Sequence, residues 1–91
     1  MLPPPFELSV PSDARYRVLA PEVAAKYAVL AGCADAEAEA VLADVARAAE
    51  DLAGRGGDIA LSFAVDGGEL RVTLTCGTER ATVRRALPAA K

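Results

Sequence analysis

Apolar and polar residues alternate strictly along Phe6-Glu7-Leu8-Ser9-Val10. That two-residue period predicts a short, half-buried strand, stopped by Pro11. Pro3-Pro4-Pro5 before it is a stiff extended lead-in, residues 1–5, with few backbone donors. Ser12-Asp13 then offers an N-cap and an early acidic residue for a helix. Tyr16, Leu19, Ala20, Val23, Tyr27 and Leu30 recur at helical spacing, so one amphipathic segment is expected from Asp13 to about Ala31. Pro21 interrupts it, predicting either a kink near Leu19-Ala20 or a fresh start at the proline. Gly32 supplies the stop. Asp35 reads as the cap of a second helix, about Ala36 to Ala53. Its apolar stripe is Ala38, Val41, Leu42, Val45, Ala49 and Leu52, and Glu37, Ala40, Asp44, Arg47 and Asp51 form the opposite stripe. Gly54 and Gly56-Gly57 end it.

Beyond the glycines the period returns to two. Ile59, Leu61, Phe63 and Val65 alternate with Ala60, Ser62 and Ala64. Asp66-Gly67-Gly68-Glu69 is a hairpin signal, because glycine accepts the positive φ of a tight turn. Leu70, Val72, Leu74 and Cys76 then alternate with Arg71, Thr73 and Thr75. A turn at Gly77-Thr78-Glu79 leads to Ala81, Val83 and Leu87, alternating with Arg80, Thr82 and Arg84. This last run reads as a third strand of a meander, with a short C-terminal helix as the alternative for residues 79–87. Residues 88–91 form a tail. The expected architecture is a single α+β domain over residues 1–91: a two-layer sandwich, β-α-α-β-β-β, with two helices packed on one face of a mostly antiparallel sheet.

Composition changes this picture in a few places. The chain has 91 residues, 53% of them apolar but only 4% aromatic. Alanine accounts for much of the apolar content, so the core rests on Leu, Val, Ile and Phe. Ten basic and thirteen acidic residues leave a net charge of −3, which argues against non-specific binding to nucleic acid or anionic membrane. No apolar run reaches the ~18 residues a membrane span requires. The N-terminus has neither the basic nor the apolar region of a signal peptide, so a cytoplasmic protein is expected. The chain holds two cysteines, Cys33 and Cys76, and no histidine. That excludes a disulfide framework, argues against a zinc site and removes the commonest general base.

The order of elements and several local phrases resemble the histidine-kinase-type ATPase domain of bacterial anti-sigma factors, the serine-protein kinases of partner-switching systems. The opening strand with Pro11-Ser12-Asp13-Ala14-Arg15-Tyr16 is similar to the family's start, as is the helix ending Leu30-Ala31-Gly32-Cys33. The run Val41-Leu42-Ala43-Asp44-Val45-Ala46-Arg47-Ala48-Ala49-Glu50-Asp51 resembles the family's E-A-x-x-N helix. There the Glu activates water or substrate and the Asn holds Mg²⁺. In this chain Arg47 falls at the Glu, Ala48 matches the Ala, and Asp51 replaces the Asn. The adenine-reading D-x-G-x-G turn would fall at Cys76-Gly77-Thr78-Glu79-Arg80 and is absent. The family's glycine-rich lid is missing too, the chain passing from Thr75 directly to residues 81–87. The resemblance therefore implies a lid-less pseudo-ATPase scaffold that binds no cofactor and catalyses no phosphoryl transfer. Its cofactor positions (Arg47, Asp51, Cys76, Gly77, Thr78) are degenerate.

Function is then expected on the surface. Asp44 and Arg47 form a suitable i,i+3 ion pair on a solvated helix face. Gly54-Arg55-Gly56-Gly57 lacks the Lys and Ser/Thr of a P-loop and follows a helix where a P-loop precedes one. The Arg and Thr positions Arg71, Thr73, Arg80, Thr82 and Arg84 make a flat candidate surface for protein docking, since Arg contacts carboxylates bidentately. Nucleic-acid binding there lacks the usual aromatic platforms. The reading is a non-catalytic, bacterial regulatory module. Its partner would be a protein: a sigma factor, an antagonist or a related kinase-like protein, with a homodimer compatible. The alternative is a small-ligand-binding or accessory α+β protein unrelated to sigma regulation. An enzyme using Asp44, Glu50, Asp51 or Cys76 is a third reading, and no metal site is expected.

Overall fold

The computed structural model describes residues 4–11, 13, 15, 18–53 and 57–87. Strand β1 (Phe6–Pro11) leads to helices α1 (Leu19–Leu30) and α2 (Asp35–Ala53). A meander of β2 (Asp58–Asp66), β3 (Glu69–Cys76) and β4 (Glu79–Ala86) follows. The four strands form one sheet in the order β1-β2-β3-β4, antiparallel throughout. The expected two-layer α+β sandwich is the observed one. Of the two readings for residues 79–87, the strand is correct.

Register explains which side chains meet. Phe6, Leu8 and Val10 lie opposite Phe63, Leu61 and Ile59. Leu61, Phe63 and Val65 in turn lie opposite Leu74, Val72 and Leu70. These positions make the inner face, and the two helices cover it. Helix α1 lies over β1 and β2, and α2 over β3 and β4. Phe63 is fully buried at the centre, with its ring centroid 5.6 Å from Phe6 and 5.4 Å from Tyr27. The Tyr27 hydroxyl donates to the Pro4 carbonyl at 3.0 Å, tying α1 to the chain before β1.

The β2–β3 turn needs its glycines: Gly67 and Gly68 adopt φ +60° and +76°, the positive pair of a type I′ turn. Helix α1 ends as expected at Gly32. Gly32 N–H donates to the Val29 carbonyl and Cys33 N–H to the Ala28 carbonyl, both at 3.0 Å, the Schellman pattern.

Several expectations need correction. Pro11 belongs to β1, opposite Asp58; an edge strand tolerates a proline at its end. The described helix begins at Leu19 with Pro21 in its first turn, and Arg15 upstream is helical too, so the choice between a kink and a fresh start falls on residues outside those described. Residues 1–3, 12, 14, 16 and 17, Tyr16 among them, fall outside the described residues, as do 54–56 and 88–91. The Arg15 N–H donates to the Asp13 carboxylate at 2.9 Å, where a cap was expected. Asp35 stands inside α2, where Ala38 N–H donates to the Ala34 carbonyl. The expected face of α1 holds at Ala20, Val23 and Tyr27 but not at Leu19 and Leu30. Its buried residues are Ala20, Pro21, Ala24, Tyr27 and Ala28, whereas Leu19 and Leu30 are 43% and 68% exposed. The buried face is set by Tyr27, which packs on Phe63, with Ala20, Ala24 and Ala28 on the same side of the helix.

Candidate functional site

Helix α2 presents its predicted stripe to the sheet: Ala38, Val41, Val45, Ala49 and Leu52 are buried, with Leu42 half-buried. Its other flank does not simply face water. Asp44, Arg47, Ala48 and Asp51 line a groove of about 390 Å³ against Ala81, Thr82, Val83 and Arg84 of β4. Arg47 and Asp51 therefore sit together in a cleft between helix and edge strand. Arg47 pairs with Asp44 at 3.6 Å, the expected i,i+3 contact. Cys76 is not part of this groove. It is buried on the inner face of the sheet, and Gly77 and Thr78 form the exposed β3–β4 turn.

Alternation along β4 places Arg85 on the inner face, opposite Leu70. Its guanidinium reaches Asp44 at 3.6 Å and Glu37 at 3.7 Å. Arg85 thus links β4 to α2 and draws both carboxylates out of the solvated stripe assigned to them. Its Nε is buried and finds no hydrogen-bond partner among the described residues. Sequence reasoning passed over Arg85 because it read the inner positions of β4 as Ala81, Val83 and Leu87. The parity of 81, 83, 85 and 87 was the available signal. Cys33 is buried beside this cluster. Burial and the nearby Glu37 carboxylate push its thiol pKa up, with Arg85 opposing more weakly. A thiol held protonated is a poor nucleophile. Cys33 and Cys76 form no disulfide. Among the described residues, no group of His, Cys, Asp or Glu side chains is arranged to hold a metal ion.

The second candidate surface is the outer face of the sheet, which neither helix covers. Here register assembles the predicted Arg and Thr positions. Arg71 lies directly opposite Arg84, Thr73 opposite Thr82, and Thr75 opposite Arg80. Ser62 and Ala60 extend the same rows across β2, and Glu7 and Ser9 across β1. The centre is therefore flat and small-chained, with three arginines toward β3 and β4. Arg71 contacts Glu69 on its own strand at 3.5 Å. Two like charges directly opposite each other on neighbouring strands destabilise a sheet.

No helix among the described residues is long and apolar enough to cross a membrane. Comparison with protein-family models, curated proteins and solved structures finds no match.

Proposed function

We propose that the protein is a non-catalytic interaction module that binds an acidic protein surface through the outer face of its sheet. Its organisation would be that of a lid-less pseudo-ATPase domain resembling the anti-sigma kinases. The observation that carries this reading is the three arginines of one sheet face, the exposed Arg80 and Arg84 and the half-buried Arg71 opposite Arg84, with the single carboxylate of Glu69 against Arg71. Glu69 offsets part of the repulsion at Arg71, and a partner carboxylate would complete the neutralisation at Arg84 and Arg80. Thr73, Thr75 and Thr82 between them present hydroxyls on short side chains, leaving a surface flat enough for a second protein to approach. Sigma factors, their antagonists and kinase-like relatives in a bacterial cytoplasm are the partners to screen first.

Titrating purified candidates against the wild-type chain and against Arg71→Glu and Arg84→Glu tests the reading. A specific partner should lose at least tenfold in affinity with either variant, about 1.4 kcal/mol. The wild-type affinity should also fall as salt rises. A partner that binds both variants as tightly as the wild type overturns the assignment of this face.

A further inference from the structure

Helix α1 carries only two charged residues, Glu22 and Lys26, in twelve positions. A helix apolar on nearly all sides belongs in a core, yet α1 covers only the β1 side of a two-layer sandwich. Among the large apolar residues it leaves exposed, Leu30 (68%) faces the β1 side, Leu19 (43%) opens the helix with Val18 (50%) just before it, and Val29 (50%) lies on the other flank, in a groove against α2. Phe6 of β1, 44% exposed, continues the patch. Between helix and strand runs a groove of about 310 Å³ lined by Pro4, Phe6, Val23, Lys26, Tyr27 and Leu30.

Among the described residues, the strand beside this groove is an edge of the sheet with β2 as its one neighbour. The other edge, β4, carries Glu79, Arg80, Arg84 and Arg85, and such charges discourage edge pairing. In β1 the one charged residue is Glu7. We infer that β1 pairs antiparallel with β1 of a second copy, joining two sheets into one of eight strands with the α1 helices side by side.

Self-complementarity selects a second copy over another extended segment. Side chains stay on their own face of a continuous sheet only if paired positions have the same parity. Centring the two-fold axis on Leu8 satisfies this: Phe6 faces Val10 of the partner, and Glu7 faces Ser9. No like charges oppose each other. Pro5 and Pro11 stand three residues either side of Leu8, so both prolines fall just outside the ladder and delimit it. The same axis, perpendicular to the sheet, sets the two α1 helices antiparallel. The exposed Leu19 at the start of one then approaches the exposed Leu30 at the end of the other, and Glu22 approaches Lys26. The one acid and the one base of α1 are thus complementary across the axis. Both arginine faces remain open on the same side of the joined sheet.

Sedimentation equilibrium of the full chain tests the association. The wild type should show twice the 9.4 kDa chain mass, and Leu30→Glu should weaken association at least tenfold. Leu30 is exposed, so this variant should keep the wild-type far-ultraviolet circular dichroism. Register is read by mixing Glu7→Cys and Ser9→Cys chains under mild oxidation. Heterodisulfides should form in preference to either homodisulfide. A chain that stays monomeric up to about millimolar concentration overturns the inference. So does a dimer that is indifferent to Leu30→Glu and forms no 7–9 disulfide. Arg84→Glu should leave the dimer intact, which separates this surface from the partner-binding face.

Discussion

Arg85 occupies an inner-face position of β4, where the apolar alternation of a half-buried strand would place an aliphatic residue. Its side chain is 31% exposed, and its carboxylate partners Glu37 and Asp44 are 45% and 38% exposed. Pairs this open to solvent contribute little net stability, because water and salt screen them. Arg85→Met should therefore change urea-unfolding stability by no more than about 1 kcal/mol in either direction, since it also buries a matching aliphatic stem. Arg85→Glu sets three carboxylates together and should destabilise by about 2 kcal/mol or more at neutral pH. A Met variant that unfolded the chain would mean the cluster is a structural keystone. The sequence contained the parity that puts Arg85 indoors, but not the carboxylates awaiting it, because Glu37 and Asp44 meet it only through the packing of α2 on β4.

Elements differed in how far their patterns could be read. The strands were legible because a two-residue period leaves one choice of face, and Gly67-Gly68 fixes the β2–β3 register. Helix α2 was legible because its large residues and its buried residues coincide. In α1 they do not. Ala24 and Ala28 are buried while Leu30 is not, because Tyr27 packing on Phe63 sets the buried face, and no spacing rule foretells that contact. The outer-face candidates on β3 and β4 were readable for the same reason as the strands, although the direct opposition of Arg71 and Arg84 needed the observed register. It also yields a prediction that separates binding from stability. Arg84→Glu replaces a like-charge cross-strand pair with an opposite-charge one. It should stabilise the isolated protein by about 0.2–1 kcal/mol, read as a higher urea midpoint at an unchanged slope, while weakening partner binding. A variant that loses both stability and binding would point to damage to the fold, not to the loss of a docking surface.

At the scale of the whole molecule, the helix-and-hairpin scaffold brings Arg47 and Asp51 into a groove at the β4 edge, where the resemblance to an ATPase would locate its catalytic helix. The far wall of that groove is Ala81, Thr82, Val83 and Arg84, the chain having turned at Gly77-Thr78 straight into an edge strand. A nucleotide here would have open solvent above it, no carboxylate reading its base, and the Asp44 and Asp51 charges near its phosphates. Introducing the side chains that the resemblance would call for on α2, by Arg47→Glu and Asp51→Asn, should therefore not create nucleotide binding. The first substitution sets a carboxylate beside Asp44 on the same helix flank, trading the 3.6 Å ion pair of Arg47 for a repulsion. Titration calorimetry with Mg·ATP and Mg·ADP should detect no binding tighter than about 100 μM, roughly −5.5 kcal/mol, in either the wild type or the double variant. Tighter binding by the wild type would overturn the pseudo-ATPase reading. Binding gained only by the double variant would mean that two residues of α2 sufficed to silence an otherwise competent cleft, and that the lid and adenine turn were dispensable. Silence of both proteins is what the proposed pseudo-ATPase reading expects, because positioning a nucleotide would also need the chain after Cys76 to follow a different path, which no pair of substitutions on a helix supplies.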